Sequence, residues 1–321
     1  MLRYIVKRLI MFIPIIIGVT LIAQVLIALA PGDPARALVG NDPRPGDYER
    51  VRAELRLDEP LLVRYWAFMS NAVRGDFGIS IFNKRPVMDE ILLRWPYTAT
   101  LSVLSVLLST LIGIPLGIFA ATHQYKISDN LAVFVSLIAV SMPSFWFALL
   151  LVQFLAVNLR WLPVSGITEL RGWVLPMFSL SLGYAASITR QMRSNMLEVI
   201  RQDFIITARA KGQTERKVLY KHAMKNALIP VIQTIGGIFG MAIGGALITE
   251  MIFSIPGLGM YTLTGLQNRD YPVIQGNVLF LSMMFCVVIL LIDLAFAYVD
   301  PRIRSQFTVK KRSLEKDGVE R

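Results

Sequence analysis

The chain has 321 residues, of which 55% are hydrophobic and only 17% charged, with a formal net charge of +11. Soluble domains carry about 25% charge, so this composition and a mean hydropathy of +0.56 exclude an ordinary soluble protein. A nucleic-acid partner is excluded too, because Lys and Arg cluster near the ends of apolar segments, where a membrane protein uses them to fix orientation.

Several apolar runs reach about 20 residues, enough to cross a hydrocarbon core near 30 Å thick. Residues 1–8 carry Arg3, Lys7 and Arg8 and read as a cytoplasmic N-terminus, followed by a first transmembrane helix over 9–30. Ala28-Leu29-Ala30 resembles a signal-peptide cleavage site, but the apolar run is too long for one and Pro31 follows at once. Residues 31–97 form a long periplasmic or extracellular loop region. Its stretch Pro31–Pro96 holds ten Lys/Arg against ten Asp/Glu and is neutral. Within it Val51–Phe68 reads as an amphipathic helix interrupted at Pro60, with Val51, Leu55, Leu62, Tyr65 and Trp66 as apolar anchors. Phe77, Ile79 and Ile81 alternate like a short strand or extended edge.

Residues 98–301 form a five-helix core. A second span is expected over Thr98–Thr122, with Gly113 and Gly117 spaced for close helix packing. A third runs over Leu131–Asn158 with a kink at Pro143. A fourth covers Gly172–Thr189, where Ser179, Ser181, Tyr184 and Ser187 point to a protein-facing or cavity-facing surface. A fifth, Leu228–Glu250, carries Gly236, Gly240 and Gly244 at spacing four, a stripe suited to helix packing or gating. A surface or re-entrant helix is expected within Ile252–Asn277, and a sixth span over Val278–Val299. Residues 302–321 form a basic cytoplasmic tail. Six spans put both termini inside and gather the N-terminus, the tail and the basic stretch before the fifth span on one side, as the charge rule requires.

That basic stretch, 190–227, is the most distinctive part of the chain. Arg190–Lys225 contains nine Lys/Arg against three Asp/Glu. It reads as two short helices broken at Gly212. Arg209 and Lys211 lie in the last turn of the first helix, and Thr214 is a candidate N-cap for the second. Leu219, Ala223 and Ala227 recur at spacing four, with Val218 and His222 beside them, and give the hairpin one small apolar docking face.

Chemistry of its own is not legible in this chain. It has no G-x-x-x-x-G-K-[ST] loop for ATP and no H-E-x-x-H pair. Cys286 is alone, and His123 and His222 are the only histidines. No catalytic residue, metal site or cofactor site is expected, and substrate-binding residues are not readable. His222 reads as a packing or interface residue of the hairpin. Glu250 and Asp293 are the acids nearest membrane depth, where an ionisable group is a functional candidate by default. Glu250 is suited to capping helix ends or pairing with Arg269. An ion-coupled secondary carrier would use such acids, but it calls for inverted repeats with broken helices, which are not visible.

The hairpin resembles the signature of bacterial ATP-binding-cassette importer permeases, the EAA loop. Ile206-Thr207-Ala208 takes the place of the first triplet, Gly212 falls at the right spacing, and His222-Ala223-Met224-Lys225 follows nine residues later. The glutamate and the late proline of the pattern are absent. T-A-R-A-K-G followed by K-H-A-M-K-N-A-L-I-P is similar to the variant of peptide-family permeases. LRYIVKRL (Leu2–Leu9), PGDPAR (Pro31–Arg36), GDFGIS (Gly75–Ser80), RPV (Arg85–Val87), FSIPGLG (Phe253–Gly259), NRDYPVIQG (Asn268–Gly276) and DPRIR (Asp300–Arg304) extend the resemblance to the dipeptide/oligopeptide/nickel family over nearly the whole chain, in the family's order.

The resemblance implies an all-α polytopic membrane protein of the type I importer permease fold, in the bacterial cytoplasmic (inner) membrane. It implies a second homologous permease subunit, two ATPase subunits holding ATP and Mg, and an extracytoplasmic substrate-binding protein. The cargo it implies is a dipeptide or short oligopeptide, with glutathione or a nickel chelate as alternatives. A coupling helix at about Ala208–Arg216 would sit in a groove on one ATPase, and Arg209, Lys211 and Arg216 would pair with acidic groove rims. Thr207, Ala208, Ala210, Gly212, His222 and Asn226 belong to the same coupling segment, with Gly212 allowing close backbone approach.

Overall fold

A computed structural model of the chain describes residues 2–29, 34–39, 45–54 and 56–299. The expectations on Pro31–Asp33, on Asp300–Arg304 and on the 302–321 tail lie outside the described residues. Among the described residues the regular structure is helical: α1 Leu2–Leu29, α2 Pro34–Val39, α3 Asp47–Glu54, α4 Leu61–Ala72, α5 Val87–Thr122, α6 Ile127–Ser141 and α7 Ser144–Leu151. There follow α8 Val174–Ile200, α9 Asp203–Ala210, α10 Glu215–Lys217, α11 Met224–Gly245, α12 Leu247–Ile252, α13 Leu258–Gln267 and α14 Tyr271–Val299. Two π-helical segments, Val152–Asn158 and Val218–Ala223, extend α7 and join α10 to α11.

Four helical runs are long and apolar enough to cross a membrane: Ile5–Leu29, Val87–Thr122, Glu215–Gly244 and Tyr271–Leu294. The expected kink at Pro143 is a break: Ile127–Ser141 and Ser144–Asn158 meet at 100°, and the pair would make a fifth span. The expected fourth span lies in α8, which has the length but mixes its apolar residues with Ser, Thr, Arg and Gln.

The chain forms two compact units. The first comprises residues 1–102, 148–176 and 243–286. Here α5 starts eleven residues before the expected Thr98. Pro86 just before the first turn and Asp89 and Glu90 within it are a strong N-terminal signal, and Pro96 lies inside the helix. The amphipathic segment splits at Pro60 into α3 and α4, as expected. Its anchor is Tyr65, which is buried and donates to the Ile17 carbonyl at 2.9 Å. Leu62 and Trp66, also expected as anchors, are exposed instead. The strand expected at Phe77–Ile81 is a single bridge between Ile79 and Pro86, which closes a tight turn. Asp270 pins that turn by accepting from Ser80 Oγ at 2.5 Å and from the Phe82 amide at 3.2 Å.

Glu250 is wholly buried in this unit. Its carboxylate accepts from Thr98 Oγ1 at 2.6 Å and from the Met260 amide at 2.9 Å. Met260 lies in the first turn of α13, so the carboxylate caps that helix and meets the positive end of its dipole. Capping is therefore what the residue does, and it makes no ion pair with Arg269. Gly257 and Gly259 leave the room: a Cβ at Gly257 would lie 2.2 Å from a Glu250 oxygen. Asn277 of α14 completes the knot by donating to the Leu258 carbonyl at 2.7 Å.

The second unit comprises residues 103–147, 177–242 and 287–321. Gly113 and Gly117 of α5 pack against α8 at close range. A Cβ at Gly113 would lie 2.7 Å from Ile188 Cβ, and one at Gly117 2.6 Å from Met192 Cβ. The glycine stripe of α11 is not uniform. Gly236 abuts Ile292 of α14, where a Cβ would lie 2.7 Å from the side chain, and Gly240 is buried, whereas Gly244, in the first unit, is exposed with open space beside it. Asp293 is half-buried in α14, and Cys286, in the first unit, is buried.

Two outcomes test this packing. Gly113→Leu should lower the apparent unfolding temperature in detergent, because overpacking costs about 1–3 kcal/mol, whereas Gly244→Leu should leave it unchanged. Glu250→Ala strands the Met260 amide, at about 1–3 kcal/mol for a buried donor left unpaired, and should destabilise more than Glu250→Gln in the same assay.

Candidate functional site

The basic hairpin lies wholly in the second unit. α8 runs past its apolar part to Ile200, the chain turns, and α9 follows from Asp203. α9 ends at Ala210 with Lys211 as its cap residue, and Gly212 takes φ +72°. That left-handed conformation costs an L-residue about 1–2 kcal/mol, which is the local reason for glycine. The open space around Gly212 shows that it is not there for packing within the chain. Thr214 holds the expected N-cap position but makes no capping bond with its side chain. The second short helix is instead the start of a long helical run: α10, the π-helical segment and α11 follow one another from Glu215 to Gly245. The free-standing short helix is thus α9, Asp203–Ala210, rather than 208–216.

The apolar face read from the sequence is buried inside the chain itself. Val218, Ala223 and Ala227 are fully buried, with Leu219 packed beside them. They share one core with Ile205 and Ala208 of α9, Ile118 and Ala121 of α5, and Ile188, Met192 and Met196 of α8. The outward apolar residues are others: Phe204, Ile206 and Tyr220 are 43%, 56% and 52% exposed. Sequence periodicity missed these because an exposed aromatic and an exposed isoleucine break the apolar pattern.

Polar contacts fix the hairpin further. Arg193 of α8 donates from Nε and Nη2 to the two oxygens of Asp129 at 2.6 and 2.7 Å, and Asp129 also accepts from the Tyr125 amide at 3.1 Å. Asp129 is buried, so the paired geometry is what makes its charge tolerable there. This fork ties α8 to the first turn of α6. Nothing at short range announces it, since the two residues are 64 positions apart. Asn195 donates to the Ala227 carbonyl at 3.2 Å. A polar cleft of about 640 Å³ opens beside the hairpin, lined by Arg193, Glu198, Arg201 and Asp203 among others.

The expected coupling residues divide as follows. Thr207, Arg209, Ala210, Lys211, Gly212, Arg216 and Asn226 are exposed, Ala208 is buried and His222 is half-buried. Thr207 Oγ1 donates to the Asp203 carbonyl and Asn226 to the His222 carbonyl. His222 Nε2 lies 2.7 Å from Gln213 Oε1. Arg209 forms an ion pair with Glu215 at 2.6 Å. The carboxylate raises the guanidinium pKa above its ordinary value. Among the described residues, no group of three or more His, Cys, Asp and Glu residues is arranged to hold a metal ion.

The helical membrane fold with its basic hairpin is that of a polytopic membrane protein, and comparison with known proteins gives its class. Residues 113–305 match the family of binding-protein-dependent transport system inner membrane components, and residues 1–102 match its N-terminal domain. The chain belongs to this family: the permease component of ATP-binding-cassette importers, in which separate ATPase subunits hydrolyse ATP and the permease carries no cofactor. Among particular relatives, the chain is 38% identical over 304 residues to the glutathione transport system permease protein GsiC of Escherichia coli K12, covering 95% of this chain and 99% of that one. The GsiC protein of Shigella flexneri serotype 5b is 37% identical over the same length. In fold, it is similar to a chain of the inward-facing MetNI methionine ABC transporter, with a TM-score of 0.54 at 17% identity, covering 66% of this chain and 97% of that one.

The left-handed turn gives a local test. Gly212→Asn should be tolerated better than Gly212→Val, because Asn visits positive φ at lower cost than a β-branched residue. Amide hydrogen exchange over 203–217 in the purified chain should rise more for Val than for Asn.

Proposed function

We propose that this chain forms half of the translocation pathway of an importer for dipeptides or short oligopeptides, in the bacterial cytoplasmic membrane. Six spans, a long periplasmic region after the first and cytoplasmic termini make up its topology. A second homologous permease supplies the other half, and an extracytoplasmic binding protein delivers cargo. Two ATPase subunits sit under the hairpins. The observation that carries the peptide reading is the near end-to-end similarity to a permease for glutathione, itself a tripeptide. The same observation favours glutathione as the second reading of the cargo.

In this reading α9 is the coupling helix. Its inner face, Ile205 and Ala208, is rooted in the core shared with α5, α8 and α11. Its outer face offers Phe204 and Ile206, flanked by Lys211, Arg216 and Lys217, to an apolar groove with acidic rims. ATP binding closes the ATPases, α9 moves with them, and the helices sharing its core are shifted between two packed states. Gly236 and Gly240 stand on α11, which belongs to that core, as packing or gating positions, and Glu250 holds α13 in the other unit.

Purification in mild detergent should recover two ATPases and a second permease with this chain. Full transport activity by the chain alone in liposomes would overturn the reading. Gly212→Leu should insert normally but retain less ATPase and uncouple transport from ATP hydrolysis; unchanged substrate-stimulated hydrolysis would count against the coupling role. Competition of labelled dipeptide uptake by glutathione, with the cognate binding protein present, decides between the two cargoes.

A further inference from the structure

We infer that Arg209 and Glu215, together with Gln213 and His222, form an intrachain brace across the Gly212 turn. The brace, which rests on the coupling role proposed above, lets α9 meet its ATPase as a preformed body. The turn closes α9 as a Schellman-type C-cap, the Gly212 amide bonding to the Arg209 carbonyl at 2.9 Å and the Gln213 amide to the Ala208 carbonyl at 3.4 Å. Those bonds fix the end of α9 but not its angle to the helix that starts at Glu215, and a connection built on glycine leaves that angle many alternatives.

Two side-chain links do so. Arg209, before the glycine, donates from Nε and Nη2 to both oxygens of Glu215, after it, at 3.1 and 2.6 Å. His222, in the π-helical segment, meets Gln213 in the middle of the turn at 2.7 Å. Both links reach into elements anchored by buried neighbours, Ala208 beside Arg209 and Val218 and Ala223 around His222. Coulomb attraction between exposed groups is weak on its own. The fork geometry adds direction, since both guanidinium donors are satisfied only when the two helices stand at one spacing.

The brace changes which cations are on offer. Arg209 is spent inside the chain, so the rim contacts fall to Lys211, Arg216 and Lys217, which are exposed and make no ion pair among the described residues. Arg209 is then a positioning residue that never touches the ATPase.

A charge-exchange cycle tests this in the assembled transporter, reconstituted with its second permease, ATPases and binding protein. ATPase affinity and transport per ATP hydrolysed are measured for wild type, Arg209→Glu, Glu215→Arg and the double exchange, with Lys211→Glu alongside. Each single exchange should weaken ATPase affinity about two- to fivefold, the range of an exposed ion pair, and lower transport per ATP. The double exchange should restore both, and Lys211→Glu should weaken affinity on its own. A double exchange no better than Arg209→Glu overturns the brace and assigns Arg209 to an acid on the ATPase. If no variant, Lys211→Glu included, changes ATPase affinity, the coupling reading falls and the brace with it.

Discussion

Ile205 and Ala208 on one side of the Gly212 turn, and Val218, Ala223 and Ala227 on the other, are buried in the same core as the packed faces of α5 and α8. A fully buried Ile or Val contributes about 1.5–3 kcal/mol relative to exposure, so detaching α9 would expose several such residues at once. The rest of the second unit depends on this burial. It converts a short segment, which alone would be a marginal helix of eight residues, into a fixed outgrowth of the helices above it. A force applied to α9 is therefore delivered to packed side chains that have few intermediate positions.

Electrostatics fixes helix ends in both units, and ion pairs serve in both, as where Arg85 and Arg94 hold the buried Glu90 of α5. In the second, the Arg193–Asp129 fork and the Arg209–Glu215 pair are ion pairs that fix one helix end against another. In the first, Glu250 has no cationic partner among the described residues and is satisfied by a hydroxyl and the amides at the start of α13. A helix terminus there replaces a basic side chain, in keeping with the apolar surroundings that disfavour a second long charged residue.

Much of the architecture was legible in the residues, and the gaps have physical causes. The apolar runs located four of the expected spans, Pro143 located the break within a fifth, and Gly113 and Gly117 located a true close approach. Hydropathy alone puts the start of α5 at Thr98, whereas the helix-start signal of Pro86, Asp89 and Glu90 lies at its true beginning. Leu62 and Trp66 look like anchors by type but lie on the outward side of α4. In the hairpin, Gly212 and the apolar set Val218, Ala223 and Ala227 were legible as a set. Where that set docks was not, because a spacing of four says which residues share a face and nothing about what covers it. The partners Asp129, Gln213 and Glu215 were out of reach, since long-range pairings and side-chain direction across a turn leave no local pattern.

The π-helical segment Val218–Ala223 has one further consequence. A π turn holds an extra residue compared with the α-helix around it, so it stores a one-residue insertion within a continuous helical run. Downstream of it, α11 keeps its own register toward α8 and α14. Upstream, α10 and the turn are rotated by about a third of a revolution relative to an uninterrupted helix. The direction in which the hairpin points is thereby set independently of the register of the membrane helix that carries it. Among relatives, gain or loss of a single residue in this stretch would re-aim the hairpin toward a differently shaped partner while leaving the packing of α11 untouched.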